Sequence, residues 1–216
     1  MRDELSAGRQ PEMTRPVDPA PVAEAASVDK RRYREALGRF ATGVTVVTTF
    51  CDDHDADGSC GQMPHPPGQH AWGTTVNAFT SVSLDPPLVL ICIGRERSIH
   101  PVIASAGRFA VNILGEENQQ LSDCFAGAPS VLPRSAFCDA AYHPGEHGTP
   151  ILDVAIAYLE CEVERTIDAG DHTIYIGRVV AASASEDDAL PLLYFRGRYL
   201  RIERMATSDL RGKPDV

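Results

Sequence analysis

The chain has 216 residues, of which 43% are apolar, enough for one domain with a sizeable core or at most two small domains. Its formal net charge of −10 argues against nucleic acid or an anionic membrane as partner, because both attract basic surfaces. No apolar run approaches the ~20 residues of a membrane helix, and the N-terminus lacks the apolar core of a signal peptide. We therefore expect a cytoplasmic protein.

The two ends of the chain are polar. Residues 1–28 are rich in proline, alanine and charged residues without apolar periodicity, which predicts a disordered N-terminal tail. One domain is predicted over residues 29–204, followed by a polar C-terminal tail at 205–216. The six cysteines have no Cys-x-x-Cys spacing and do not by themselves require a disulfide framework.

A helix is predicted from about Asp29 to Arg39, because Tyr33, Leu37 and Phe40 fall on one apolar face. The basic residues of this helix lie away from that face. They form either a solvated surface or a contact to a nucleotide phosphate. The β-branched run after Thr42 and Gly43 then predicts a strand that continues to about residue 50.

Residues 51–71 form a long polar segment rich in glycine, proline and histidine, which predicts a flexible loop, and the family resemblance described below implies that this loop is an insertion. Its aspartates at 53, 55 and 57 imitate the start of a calcium loop, but Pro64 stands where the bidentate acid is needed. Its cysteines and histidines match no standard zinc spacing. No metal site is therefore expected.

The stretch from Gly73 to Ile91 carries many hydroxyl and amide side chains and no acid or base before Asp85. Neutral donors and acceptors suit a surface that binds the flat, polar edge of a ligand. An ordinary pair of strands is the alternative, since threonine and valine favour strands. The Asp85-Pro86-Pro87 sequence predicts the turn that ends this polar part and begins a buried strand.

Ser98 and Gly107 bracket a helical period, as an N-cap and a C-terminal glycine. A helix N-terminus that carries Ser98 beside two arginines is either an anion site or a simple cap. Further on, a strand, a helix at 116–126 and a long strand at 151–167 are predicted. The apolar phase of that long strand slips at Tyr158-Leu159, which predicts a bulge. Its three glutamates at 160, 162 and 164 are predicted to face solvent.

Four segments, at 39–49, 73–91, 107–114 and 170–172, occur in the order found in the flavin reductase-like family, which the chain resembles over about residues 31–204. This family provides the reductase components of two-component flavin-dependent monooxygenases. Short strands and turn signals with a few helices predict a mainly β, antiparallel barrel. The resemblance implies an FMN-binding split β-barrel that forms a homodimer.

The function implied by the resemblance is that of an NAD(P)H:flavin oxidoreductase, which takes hydride from NADH or NADPH and supplies reduced FMN or FAD to a partner monooxygenase. No Gly-x-Gly-x-x-Gly is present, so a Rossmann domain is not supported. Two alternatives remain open. One is a flavin-bound oxygenase or oxidase that acts on a small organic substrate beneath the 51–71 segment, and the other is a non-enzymatic flavin- or haem-binding barrel.

The resemblance also implies site residues. His172 would lie beside the flavin ring and orient the nicotinamide, as the catalytic residue. Residues of the 75–83 stretch would hold the ring and ribityl chain, while Ser98, Gly107 and Arg108 would lie towards the phosphate. The full set of cofactor-binding residues implied in this way is Thr42, Gly43, Thr75, Val76, Asn77, Ser81, Val82, Ser83, Ser98, Gly107, Arg108 and Tyr199.

Overall fold

The computed structural model describes residues 28–51, 70–128 and 136–203. Within these ranges no helix is both long and apolar enough to cross a membrane. Residues 52–69 of the predicted insertion lie outside the described residues, as do the predicted C-terminal tail and all but Val28 of the N-terminal tail.

The described residues contain three α-helices and twelve β-strands. The helices are α1 (Lys30–Leu37), α2 (Ile99–Ala106) and α3 (Gln119–Phe125), and a 3₁₀ turn at Glu116–Asn118 leads into α3. The strands are β1 (Thr42–Gly43), β2 (Thr45–Cys51), β3 (His70–Val76), β4 (Phe79–Leu84), β5 (Pro87–Gly94), β6 (Arg108–Leu114), β7 (Tyr142–Pro144), β8 (Pro150–Leu152), β9 (Ala155–Ala169), β10 (His172–Ala184), β11 (Leu193–Phe195) and β12 (Arg198–Leu200).

Seven strands form one antiparallel sheet in the order β3-β2-β6-β9-β10-β5-β4, and β1-β11-β12 and β7-β8 form two smaller sheets. The edge strands β3 and β4 are consecutive in the chain and are joined by only Asn77 and Ala78. A sheet whose two edges are joined by two residues must curl until those edges approach each other. The result is a barrel that is open between β3 and β4, in agreement with the predicted split barrel.

The barrel interior is filled by side chains from β2, β5, β6 and β10, such as Val47, Ile91, Phe109 and Tyr175, each no more than 1% exposed. Helix α2 covers this core with Ile99, Val102 and Ile103. Burial of this apolar surface is the main stabilising contribution to the fold.

Helix α1 differs from the prediction in its packing. Its N-cap is Asp29, whose carboxylate accepts a 2.9 Å hydrogen bond from the Arg31 backbone N–H. None of its residues is buried, and Tyr33, Leu37 and the following Phe40 are 56%, 56% and 76% exposed. The apolar face is present in the sequence, but nothing in the described residues covers it.

Two predicted strands are each broken. The 72–84 stretch forms β3 and β4 with a break at Asn77, and the 151–167 stretch forms β8 and β9 with a break at Asp153. The register shifts of β9 flank the predicted slip at Tyr158-Leu159 rather than coincide with it, since one lies near Ala155 and the next opposite Val179.

Two further expectations need correction. Glu160 was expected to face solvent but is 0% exposed, and its carboxylate accepts hydrogen bonds from His147 N, Thr149 N and Thr149 Oγ1. Backbone and hydroxyl donors replace the water that a buried carboxylate loses. The sequence also did not require disulfides, yet Cys124 and Cys138 are bonded, with Cα atoms 6.0 Å apart, and Cys51 is disulfide-bonded as well.

Candidate functional site

The split between β3 and β4 gathers most of the predicted flavin-binding residues. Thr75 and Val76 end β3, Asn77 is exposed in the connection, and Ser81, Val82 and Ser83 lie on β4. Val82 is 48% exposed and coincides with a register shift between β4 and β5. Edge strands carry unpaired backbone N–H and C=O groups. Those groups and the neutral side chains form a polar surface without formal charge along the split.

Helix α3 fixes one side of this split through hydrogen bonds. Thr75 Oγ1 donates to the Ser122 carbonyl oxygen over 2.6 Å. Ser122 Oγ lies 2.9 Å from the Tyr199 hydroxyl, which itself donates to Asp123 Oδ1 over 3.0 Å. Because the Tyr199 proton is directed at Asp123, Ser122 supplies the proton of the other bond. Two predicted residues, Thr75 and Tyr199, are thus joined by Ser122, which sequence reasoning missed.

Close packing of α3 on β3 depends on Gly73. A Cβ atom at this position would lie 2.5 Å from the ring of Phe125, closer than carbon atoms can approach. Phe125 is 7% exposed and its ring contacts Phe137 edge-on. The absence of a side chain at Gly73 therefore lets the Phe125 ring of α3 pack against β3.

The other end of α3 contacts the turn before α2. Arg97 Nη1 donates to the Ala126 carbonyl oxygen over 3.2 Å. Ser98 follows at the predicted N-cap position of α2, but it has helical backbone angles and its side chain makes no capping hydrogen bond. Ser98 is exposed. Helix α3 therefore links the turn that carries Ser98 to the strand that carries Thr75.

His172 lies across from this turn. It pairs with Gly94 in the β10–β5 ladder, and Arg95 N donates to the Asp171 carbonyl oxygen over 3.0 Å. His172 Nδ1 lies 2.7 Å from Asp171 Oδ1, and the hydrogen bond from His172 lowers the pKa of Asp171 below its ordinary value. When the ring is neutral, the hydrogen bond to an ionised Asp171 keeps the proton on Nδ1 and leaves Nε2 as an acceptor.

Thr42 and Gly43 lie in the small sheet that also carries Tyr199. Thr42 pairs with Tyr194, whose ring contacts Tyr199 with centroids 5.4 Å apart. Thr42 Oγ1 is buried and, within the described part of the chain, has no hydrogen-bond partner. A Cβ built on Gly43 would meet nothing within 4 Å, so space is open beside it. An unsatisfied hydroxyl beside open space fits a polar ligand.

Gly107 and Arg108 lie elsewhere. Gly107 ends α2 in the left-handed conformation with φ 64°, as predicted for a C-terminal glycine. Ser98 is at the opposite end of this eight-residue helix, whose length is about 12 Å. Arg108 donates to the carbonyl oxygen of His147 over 3.4 Å. The structure therefore does not bring Gly107 and Arg108 together with Ser98 around one phosphate.

The site has little capacity for proton transfer of its own. Partial burial raises the pKa of the Tyr199 phenol above its ordinary value, so the hydroxyl is neutral at neutral pH. The predicted site residues include one histidine, His172, which pairs with Gly94 at the end of β5. The arrangement can bind and orient a planar polar ligand and hydrogen bond to a second ligand at His172.

The sequence of residues 37–203 matches the family model described as the flavin reductase like domain. A probable flavin reductase of Rhizobium meliloti is 42% identical over 185 residues, which cover 86% of this chain and 51% of that protein. This chain thus spans about half of that relative's length. The flavin-dependent monooxygenase reductase subunit HsaB of Mycobacterium tuberculosis is 34% identical over 194 residues, which cover 88% of this chain and 92% of the relative.

Among solved structures, the NADH:FAD oxidoreductase SgcE6 of Streptomyces globisporus C-1027, in complex with NAD and FAD fragments, superposes with a TM-score of 0.65. It has 33% sequence identity, and the match covers 86% of this chain and 99% of SgcE6. The sequence match, the relatives and the split barrel agree with one another. This chain therefore belongs to the flavin reductase-like family.

Proposed function

We propose that this protein is an NAD(P)H:flavin oxidoreductase that supplies reduced flavin to a partner monooxygenase. The observation that carries this proposal is the split between β3 and β4, which is lined by uncharged polar residues and edge-strand backbone groups. His172, held by Asp171, pairs with Gly94 at the end of β5, the strand next to β4. Such a surface can hold two flat ligands without reacting with either. Family membership and the activity named for SgcE6 add support.

The residues present fit a flavin. The buried, unsatisfied Thr42 Oγ1 and the open space beside Gly43 provide a hydroxyl and room for a ligand. Asn77 and Ser81 offer exposed donors and acceptors along the split. When bound, the flavin supplies hydride acceptance at its N5 atom, chemistry that the side chains themselves lack.

The protein's own contribution is orientation. Thr75 and Val76 would hold the ring edge with Asn77, and Ser81, Val82 and Ser83 would do so from β4. His172, held by Asp171, would hydrogen bond to the nicotinamide carboxamide through Nε2. Holding two reactants in reactive geometry can supply up to ~7–11 kcal/mol of the barrier, without proton transfer by the protein.

We propose further that the active form is a homodimer. Tyr33, Leu37 and Phe40 present an apolar face on α1 that no described residue covers, and Leu84 at the end of β4 is 93% exposed. Exposed apolar surface of this kind is typical of protein interfaces. Sedimentation velocity would test the proposal, and a monomer at micromolar concentration would contradict it.

A partner monooxygenase is supported by the name of the relative HsaB, a reductase subunit of a flavin-dependent monooxygenase. The cytoplasmic location stays a prediction. The Cys124–Cys138 disulfide is unusual for that compartment, where thiols are kept reduced.

The experiment that tests the function is NADH and NADPH oxidation by the purified protein with FMN, FAD or no flavin added. We expect oxidation that requires added flavin and saturates with it. If neither NADH nor NADPH is oxidised with either FMN or FAD, the proposal is overturned. Protein that instead retains flavin and consumes an organic substrate would favour the oxygenase.

A further inference from the structure

A concave groove of about 870 Å³ lies between α1 and the turn that joins β11 to β12. Its lining contains five basic side chains and two acidic ones. The basic residues are Lys30, Arg31, Arg34, Arg39 and Arg196, and the acidic residues are Asp29 and Glu35. The groove lining therefore carries three more positive than negative charges, whereas the whole chain has a net charge of −10. The groove is thus a local positive surface on an acidic protein.

Most of these cations do not pair with protein carboxylates. Arg31 lies 3.9 Å from Glu35, a long contact on an exposed helix face. Within the described residues, Lys30, Arg34, Arg39 and Arg196 form no ion pair. Like charges four residues apart on a helix, as at Lys30 and Arg34, repel each other. An anion in the groove would relieve this repulsion.

The far wall of the groove is held in position by its backbone. Arg196 and Gly197 are the two central residues of the β11–β12 hairpin turn, with φ of 52° and 76°. This conformation favours asparagine or glycine at both positions, so an arginine is unusual there. Arg196 N also donates to the Gly38 carbonyl oxygen over 2.9 Å, which ties the turn to the end of α1. The backbone position of Arg196 is therefore fixed, on the side of the groove opposite Arg34.

The groove adjoins the candidate site at its hairpin wall. This hairpin carries Tyr194 and Tyr199, whose rings contact each other, and Tyr194 pairs with Thr42 of β1.

We propose that this groove binds the ADP moiety of a dinucleotide, whether the nicotinamide donor or FAD. Its volume lies in the range of small-molecule and cofactor sites. Guanidinium groups bind phosphate oxygens through two parallel hydrogen bonds, and the diphosphate brings the negative charge that the cations lack. The choice of a dinucleotide rests on the proposed function, whereas the binding of a diphosphate anion does not.

Calorimetric titration with ADP, in the absence of flavin and nicotinamide, tests the groove directly. Arg196→Asn removes the charge but keeps a residue that tolerates the left-handed turn, and Arg34→Gln keeps a good helix former. Each substitution should weaken ADP binding roughly tenfold, as expected for a lost charge-assisted hydrogen bond. Arg201→Gln is the matched control, because Arg201 pairs with Glu117 at 3.3 Å and does not line the groove. It should bind ADP as the wild type does.

The outcomes separate this proposal from the proposed function. The groove proposal would be wrong if the wild-type protein does not bind ADP, or if the groove variants bind ADP as tightly as Arg201→Gln does. This holds even if the protein oxidises NADH. ADP binding that depends on the groove residues, without any NADH oxidation, would support the groove proposal and contradict only the proposed reductase function.

Steady-state kinetics then distinguish the two sources of ADP. A raised KM for NADH in the groove variants, measured with FMN, which has no ADP moiety, assigns the groove to the nicotinamide donor. A raised KM for FAD with an unchanged KM for FMN assigns it to the flavin. If neither KM changes, the groove plays no part in dinucleotide binding and the proposal is wrong.

Discussion

The hydroxyl of Thr75 donates a 2.6 Å hydrogen bond to the main-chain carbonyl of Ser122, so the edge of the barrel split is tied to α3. Ser122 Oγ in turn contacts the Tyr199 hydroxyl at 2.9 Å. Three segments far apart in sequence therefore meet at one serine that is 0% exposed. The geometry of the polar split depends on this contact as much as on the strand that carries Thr75.

Replacement of Tyr199 by phenylalanine should loosen this arrangement. The substitution keeps the ring and its contact with Tyr194 but leaves the buried Ser122 hydroxyl without its partner, at a cost of roughly 1–2 kcal/mol in the free energy of unfolding. We also expect FMN affinity to fall several-fold, because the strand edge loses support. Urea unfolding and fluorescence titration with FMN measure the two effects. Unchanged values in both would show that Ser122 does not support the split.

Replacement of His172 by alanine should act on the nicotinamide alone. The loss of one hydrogen bond should raise the KM for NADH about three- to tenfold, with the Kd for FMN unchanged. Turnover should persist in part, because His172 is not required to transfer a proton. Asp171→Asn is the matched variant and should give a smaller effect, since an amide oxygen can still accept from Nδ1. Wild-type turnover and a wild-type KM in His172→Ala would rule out the orienting role.

Replacement of Glu160 by glutamine should destabilise the fold without a direct effect on the site. Its buried carboxylate accepts from three donors of His147 and Thr149, and a glutamine amide would turn N–H groups towards them. We expect a loss of about 3 kcal/mol in the free energy of unfolding. Glu162→Gln is the control, because the exposed pair of Glu162 with Arg178 should contribute less than ~1 kcal/mol. Equal losses in the two variants by urea unfolding would contradict this.

Removal of the Cys124–Cys138 disulfide should also lower stability. The bond closes a segment of 14 residues, and in the chain-entropy account its loss costs about 2–4 kcal/mol. The variant with both cysteines changed to serine should therefore have a lower Tm than the wild type in calorimetry. Cys92→Ser is the control, because Cys92 is a free thiol. A double variant as stable as this control would show that the bond adds nothing to the fold.

Local sequence signals were sufficient where a contact lies near in the chain. Gly107 adopts the predicted left-handed conformation at the end of α2, because only glycine does so without strain. The Asp85-Pro86-Pro87 sequence does mark the turn between β4 and β5. The polar stretch from Gly73 stands out in the sequence by its hydroxyl side chains, and the structure places it on both sides of the split.

Such local signals did not predict contacts between residues that are distant in the chain. Ser122 carries no distinguishing feature in the sequence, and its role exists only because α3 packs on β3 through Gly73. Glu160 alternates with exposed glutamates, and only the return of the 145–149 segment over β9 buries it. The separation of Ser98 from Gly107 and Arg108 likewise follows from the direction of α2 within the fold.

The sequence by itself determined the family, the antiparallel split barrel and the kind of surface that lines the split, because these depend on residue type, spacing and order along the chain. The tertiary structure alone decided which of those residues meet. It joined Thr75 to Tyr199 through α3 and set Arg196 opposite Arg34 across a basic groove. Such contacts depend on how distant segments pack, and packing is a property of the whole fold that no local pattern records.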